Sequence, residues 1–258
     1  MGLIICVANQ KGGVGKTTTT VNLSASLAVA EKRCLLVDCD PQGNATTGLG
    51  FDRNMLKSGL YEFVLGSASE EEVIIATNLP GLFLIGASRD LVGAEVEMAS
   101  AEEREHLLRK KFFPLKGRFD YIFLDCPPSL GFLTLNALTA ADSVLVPIQC
   151  EYYALEGLTH LLTTVRAVKK GLNPTLGLAG ILLTMHDSRN NLCLQVAEEV
   201  RKHFRDAVFN TMIPRNVRLS EAPSYGKPAL LYDIRSTGAQ SYLALAQELI
   251  SRGGAYYV

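Results

Sequence analysis

The chain has 258 residues, 48% hydrophobic and 20% charged, with a formal net charge of −1, and this composition suits one large α/β domain over residues 1–258. No run of 18 apolar residues argues for a membrane span, and six cysteines without a C-x-x-C pair give no support to a zinc ribbon or thioredoxin-like site. The N-terminus opens directly on a strand instead of a signal segment, so a cytoplasmic location and reduced thiols are expected.

The first strand-length apolar run, Leu3–Ala8, leads straight into NQKGGVGKTT, Asn9 to Thr18. The common phosphate-loop pattern G-x-x-x-x-G-K-[ST] asks for glycine where Gln10 stands, and a second lysine, Lys11, follows it. Gly12, Gly13 and Gly15, with Val14 between them, let backbone N–H groups turn inward as an anion cradle in front of a helix expected near 16–30. Lys16 is then placed for the β- and γ-phosphates of a nucleotide, Thr17 can give its hydroxyl to Mg²⁺, and Thr18 closes the same turn. On the residues alone, Lys11 is either a second phosphate cation or a solvated loop lysine.

A second strand, Cys34–Asp38, ends in DCDPQGN, where Asp38 and Asp40 reach the carboxyl edge. A right-handed crossover returns this edge beside the phosphate loop, so a carboxylate here can face the γ-phosphate. Residue type alone divides the catalytic role evenly between the two acids. Pro41, Gly43 and Asn44 favour an irregular, movable segment.

Further strands are expected at Leu82–Ile85, Tyr121–Asp125, Ser143–Ile148, Gly180–Thr184 and Val208–Ile213, with helices near 102–111, 132–141, 153–171, 190–204 and 237–251. Asp125 ends its strand in YIFLDCPPSLG and has the Walker B form, an acid that supports Mg²⁺ beside a phosphate-sensing loop. Strands that are apolar on both faces and alternate with helices predict a doubly wound, mostly parallel sheet covered on both faces, and with the phosphate loop after the first strand the expected fold is a P-loop NTPase. Ligands bind at the carboxyl ends of such strands, where loops 9–17, 38–47 and 125–131 converge. Charge is uneven along the chain: residues 1–165 sum to −6, and 166–235 to +5.

KGGVGKTT resembles the deviant Walker A loop of the ParA/MinD class of P-loop ATPases. DCDPQGNATTGLG, DCPPSLGFLTLNALTAADSVLVPIQCEYYALEGL, MIPRNVRLSEAPSYGKP and YDIRSTGAQSYLALAQEL extend the resemblance over nearly the whole chain, to the chromosomal ParA branch known as Soj. The resemblance implies ATP and Mg²⁺ as cofactors and Lys11 as a cation supplied in trans across an ATP-dependent homodimer. It makes Lys11, Lys16 and Asp40 the catalytic residues, with Asp40 positioning the attacking water and Asp38 as strand-end support. Thr17, Asp40 and Asp125 surround the metal. Pro214 and Asn216 lie at the adenine, and Thr184 is a further candidate for the base.

The same resemblance implies chromosome partitioning at the nucleoid, with a ParB/Spo0J-type partner stimulating hydrolysis. Non-specific double-stranded DNA is the expected cargo, touched by Arg189 and Arg218, with Arg166, Lys169, Lys202, Arg215, Lys227 and Arg235 as possible additions. Only eight residues precede Asn9, so specific operator binding through an N-terminal helix-turn-helix is not expected. The tail ELISRGGAYYV lacks the continuous cationic face of a membrane-binding helix, so no membrane partner is expected. The alternatives are a MinD-like positioning or regulatory ATPase acting on another cargo, and an enzyme that uses ATP to activate a small metabolite.

Overall fold

The chain's structure, a computed structural model, describes residues 1–98, 100–151 and 154–253, without the side chain of Glu95. In chain order its strands are β1 Leu3–Val7, β2 Cys34–Asp38, β3 Ile75–Ala76, β4 Leu82–Ile85, β5 Tyr121–Asp125, β6 Ser143–Gln149 and β7 Gly177–Thr184. Its α-helices are α1 Lys16–Val29, α2 Asn44–Gly48, α3 Leu60–Leu65, α4 Glu70–Val73, α5 Leu91–Met98, α6 Leu107–Phe112, α7 Phe132–Ala140, α8 Ala154–Gly171, α9 Asn191–Phe204, α10 Val217–Glu221, α11 Ala229–Tyr232 and α12 Thr237–Ser251. The strands form one sheet in the order β3-β4-β2-β5-β1-β6-β7, parallel except where β3 pairs with β4.

The strand sequences dictate two cores by their period of two. Ile4 and Cys6 of β1, Leu35 and Val37 of β2, and Ile122 and Leu124 of β5 face one layer, under α3 and α5 to α9. Ile5 and Val7, Cys34 and Leu36, and Phe123 face the other, under α1 and α10 to α12. Each fully buried aliphatic or aromatic side chain in these rows contributes about 1.5–3 kcal/mol.

Helix α1 is polar in composition yet almost wholly buried, because its hydroxyls are satisfied locally. Ser24 and Ser26 donate to Val21 and Asn22 carbonyls one turn back, and Thr19 Oγ1 lies 3.1 Å from Tyr242 Oη of α12. Burial of such groups is tolerated only when each is hydrogen-bonded.

The structure departs from the sequence expectations at three places. Val208–Ile213 is not a strand: it touches β7 through a single bridge, Ile181 to Val208, and through Phe209 N and Ile213 N donating to Ile181 and Leu183 carbonyls. Between those contacts Asn210 N and Thr211 N donate to the Glu248 carboxylate at 2.7 and 2.9 Å, which draws the segment off the ladder. The helix expected at 102–111 begins only at Leu107, after a 3-10 turn at Arg104–His106, because Glu103 is left-handed (φ 49°). The short elements α2 to α5, α10, α11 and β3 carry too few residues for a periodic signal. The expected helix start at residue 153 and the tail at 254–258 lie outside the described residues. Among those described, no helix is long and apolar enough to cross a membrane.

Candidate nucleotide-binding and catalytic site

Strand register brings the acids together. Asp125 of β5 pairs with Val7 of β1 on one side and with Asp38 of β2 on the other, so three loops leave one edge side by side. The loop after β1 turns into α1 through Gly13 (φ 74°) and Gly15 (φ 87°), left-handed conformations that only glycine takes at no steric cost. Gly15 caps α1 without a side-chain acceptor, so the first-turn N–H groups of the helix are left for a ligand.

A cleft of about 400 Å³ opens there, lined by Gly12, Gly13, Gly15, Lys16, Thr17, Thr18 and Asp40, and closed by Pro128, Pro223 and Lys227. Lys16 is buried, and its Nζ donates to the Lys11 carbonyl at 3.0 Å. Burial lowers its pKa, a shift opposed by the charges of Asp125 and Asp40. Lys11 does not line this cleft. Its ammonium instead meets the Glu151 carboxylate in a half-exposed ion pair, while its N–H donates to Asn9 Oδ1 at 3.0 Å.

Asp40 is 7% exposed and reaches the cleft; Gln42 N donates to its Oδ1 at 2.9 Å in a short turn. Asp38 lies deeper. Thr46 N and Oγ1 donate to its Oδ2 at 2.8 and 2.6 Å, and Asp40 N donates to its Oδ1 at 3.2 Å. Burial pushes Asp38 up to about 6, against the pull of these bonds. The structure thus separates the two acids that residue type left equal: Asp38 braces the loop, and Asp40 faces the cleft.

Asp125 Oδ1 accepts from Thr20 at 2.9 Å, and the Thr17 hydroxyl beside it acts to lower its pKa. Its Oδ2 is buried without a hydrogen-bond partner among the described residues. Burial, then the charge of Asp38, pushes Asp125 up to about 8. An orphaned carboxylate oxygen beside a threonine hydroxyl fits Mg²⁺, which binds through one or two protein oxygens plus substrate phosphates and water. Among the described residues no cluster of three His, Cys, Asp or Glu is placed to hold a metal ion.

A second cleft of about 530 Å³ runs into the first through Gly15, Thr18, Met185 and Pro223, and is lined by Pro214, Asn216 and Thr184. Thr184 Oγ1 approaches the Val14 and Ile148 carbonyls at 2.8 and 3.0 Å, which ties the phosphate loop to the sheet and leaves the hydroxyl engaged. Asn216 caps α10: its Oδ1 accepts from Arg218 N at 3.0 Å, and its Nδ2 donates to Thr237 Oγ1 at 2.8 Å.

Sequence reasoning missed Met185, a left-handed non-glycine (φ 50°) at the junction of the two clefts, for which there is no sequence signal. Thr20 and Thr46 were also missed. The helical spacing of four from Lys16 is a signal that could have found Thr20, because residues i and i+4 share a face.

The expected DNA residues are exposed but paired. Arg189 Nε and Nη2 each donate to Asp187 at 2.9 Å, and Arg218 meets Glu221 at 2.7 Å and Asp233 at 3.3 Å. The Arg189 hydrogen bonds hold Asp187 well below the usual carboxylate range. Two of the possible additions face elsewhere: Lys227 lines the phosphate cleft, and Arg215 the adjoining one.

Residues 2–178 match the family model described as AAA domain. The chain is 58% identical to chromosome partitioning protein ParA of Myxococcus xanthus, over 98% of this chain and 89% of that protein. It is 56% identical to sporulation initiation inhibitor protein Soj of Bacillus subtilis, over 98% of this chain and all of the other. Among solved structures it superposes, with a TM-score of 0.86 and 36% identity over the full length of both chains, on cobyrinic acid a,c-diamide synthase from Mycobacterium smegmatis with bound ADP and magnesium.

Proposed function

The chain belongs to the ParA/Soj family of chromosome-partitioning ATPases, and from that premise we propose that it partitions DNA as an ATP-dependent dimer switch. ATP closes two subunits face to face, the dimer binds double-stranded DNA without regard to sequence, and hydrolysis releases it. The observation that carries the reading is the direction of Lys11, a phosphate-loop cation that lies outside its own phosphate cleft and against Glu151. A lysine so placed is available to a second subunit's nucleotide.

In this reading Lys16 and the first-turn N–H groups of α1 hold the β- and γ-phosphates. Thr17 and Asp125 support Mg²⁺, which when bound neutralises charge on the phosphate oxygens. Asp40 orients a water whose oxygen attacks the γ-phosphorus as the bond to the bridging oxygen breaks, giving ADP and inorganic phosphate. Lys11 from the partner subunit stabilises the charge that develops. Pro214, Met185 and Asn216 enclose the adenine. A ParB/Spo0J-type protein accelerates the step.

Exposed Arg189 and Arg218 provide phosphate contacts, which are sequence-independent and weakened by salt. The test is co-sedimentation with DNA in the presence of ATP, ADP or neither. Binding with ATP only, of equal strength on unrelated duplexes and lost in Arg218→Glu, is expected; equal binding in all three states removes the switch.

A second reading, ATP-driven activation of a small carboxylate, draws support from the likeness to the diamide synthase. It predicts ATP turnover that rises with an added metabolite and not with DNA.

A further inference from the structure

We infer that Arg53 is a positioning residue for ATP hydrolysis, a guanidinium clamp that sets the loop carrying Asp40. The inference rests on the reading of Asp40 as the residue that orients the attacking water. Arg53 follows α2 in an irregular stretch, and its side chain turns back over the loop between β2 and α2. Its Nη1 donates to the Gln42 carbonyl at 2.6 Å, and its Nη2 to the Pro41 carbonyl at 2.7 Å and the Ser88 carbonyl at 3.3 Å.

These are backbone groups of the two residues directly after Asp40, and of the segment that follows β4. No carboxylate among the described residues pairs with Arg53, so the loop carbonyls themselves hold the cation. Its Nε is buried without an acceptor, as is the nearby Ser88 Oγ. A half-buried arginine without a counter-ion, with its fork spent on consecutive carbonyls, is fixing backbone geometry.

The contact extends to the other end of the loop. Gly43, left-handed at φ 67°, caps the N-terminus of α2, and a Cβ there would lie 3.3 Å from Arg53 Cδ, Nε and Cζ, so the arginine packs flat against the glycine. One turn on, Thr46 binds Asp38 Oδ2 and accepts from Ala87 N at 3.0 Å. Arg53 and Thr46 thus join the same two strand ends, β2 and β4, from either side of Asp40. The Asp40 backbone is held by its N–H on Asp38 Oδ1 and by Gly43 N on its carbonyl, while its carboxylate accepts from Gln42 N, and Gln42 is itself held by Arg53. Releasing the clamp leaves the phosphate cradle untouched and lets the carboxylate drift, and a shift of about 1 Å at a catalytic group can cost up to about 100-fold in rate.

The experiment measures ATP turnover and the affinity for a fluorescent ATP analogue in full-length Arg53→Ala, Arg53→Lys and Asp40→Ala. Expected for Arg53→Ala is a kcat about tenfold lower with nucleotide affinity within about twofold of the parent, since the loss falls on positioning. Added guanidinium, at concentrations far below denaturing, should restore at least half of that loss and leave the parent and Asp40→Ala unchanged. Arg53→Lys keeps the charge without the planar fork, and should lose at least about threefold in kcat; it carries the test if Arg53→Ala does not fold.

A kcat within twofold of the parent in both Arg53 variants overturns the clamp, as does a matching fall in affinity or a failure of guanidinium to act on folded Arg53→Ala. Full turnover in Asp40→Ala instead overturns the underlying reading of Asp40, so the two failures are told apart.

Discussion

Gly12 and Gly15 stand three residues apart and answer to different demands. Gly15 must be left-handed (φ 87°) for the loop to enter α1, and an L side chain there costs on the order of 1–3 kcal/mol in strain. At Gly12 no such angle is required, and an added Cβ would find only Pro128 Cβ, at 3.9 Å. Within one subunit, therefore, valine is tolerated at 12. Gly12→Val should bind ATP within about threefold of the parent and yet stay monomeric with it, because under the proposed closure two copies of this loop meet. Gly15→Val should lose ATP binding and thermal stability together. Light scattering with ATP and a nucleotide titration separate the two, and ATP-driven dimerisation of Gly12→Val would remove position 12 from the interface. Lys16→Ala should abolish tight ATP binding in the same titration, since its buried ammonium is the fixed charge of the cradle.

At the scale of elements, the two buried acids that end β2 and β5, Asp38 and Asp125, create a cost that depends on pH. Asp38 and Asp125 are pushed up from an ordinary 3.8 to about 6 and about 8, so the folded chain holds protons that the unfolded chain has released. The sign follows: their stabilising contribution is complete below about pH 4 and is lost as pH rises through 6 and 8. The melting temperature of the nucleotide-free protein should fall by several degrees between pH 5 and 8, and Asp125→Asn should flatten the upper half of that slope. An unchanged slope in Asp125→Asn assigns the titration to other groups.

What could be read from the sequence divides along the same line. β1, β2, β4, β5, β6 and β7 were legible because each is an apolar run of strand length between polar or turn-forming residues. Val208–Ile213 was not, because its fate is decided by Glu248, distant in sequence. Loop residues Lys16 and Thr17 announced themselves by spacing and Asp40 only through the family resemblance, whereas Met185, Thr46 and Arg53 take their places through tertiary structure alone. The pairing of Arg189 with Asp187 was equally invisible, and it yields a prediction: Asp187→Asn should strengthen DNA binding by a few-fold at low salt, since it frees the guanidinium from an exposed, weakly held partner. Weaker binding in that variant would mean that Asp187 holds Arg189 in its working pose.

For the whole molecule, the question is which subunit's nucleotide Lys11 serves. Its carbonyl is tied to Lys16 Nζ and its N–H to Asn9, so the backbone at 11 is fixed while the side chain turns away to Glu151. That ion pair is half-exposed on both sides and contributes about 1 kcal/mol or less, so a phosphate surface brought up by a partner can displace it. A lysine acting in trans and an aspartate acting in cis make a directional prediction for mixtures. Lys11→Ala alone and Asp40→Ala alone should each lose most turnover. In a mixed dimer, the Lys11→Ala subunit keeps its own Asp40 and receives Lys11 from the Asp40→Ala subunit, so one of its two sites is complete. Mixing the variants should restore turnover to about one quarter of the parent rate, because about half of randomly paired dimers are mixed and each holds one working site. Differently tagged subunits, co-purified with ATP, verify that mixed dimers exist. If they exist and turnover stays at the level of the separate variants, Lys11 works within its own subunit, and the Glu151 pair is then the resting position of a lysine that must swing back over its own loop.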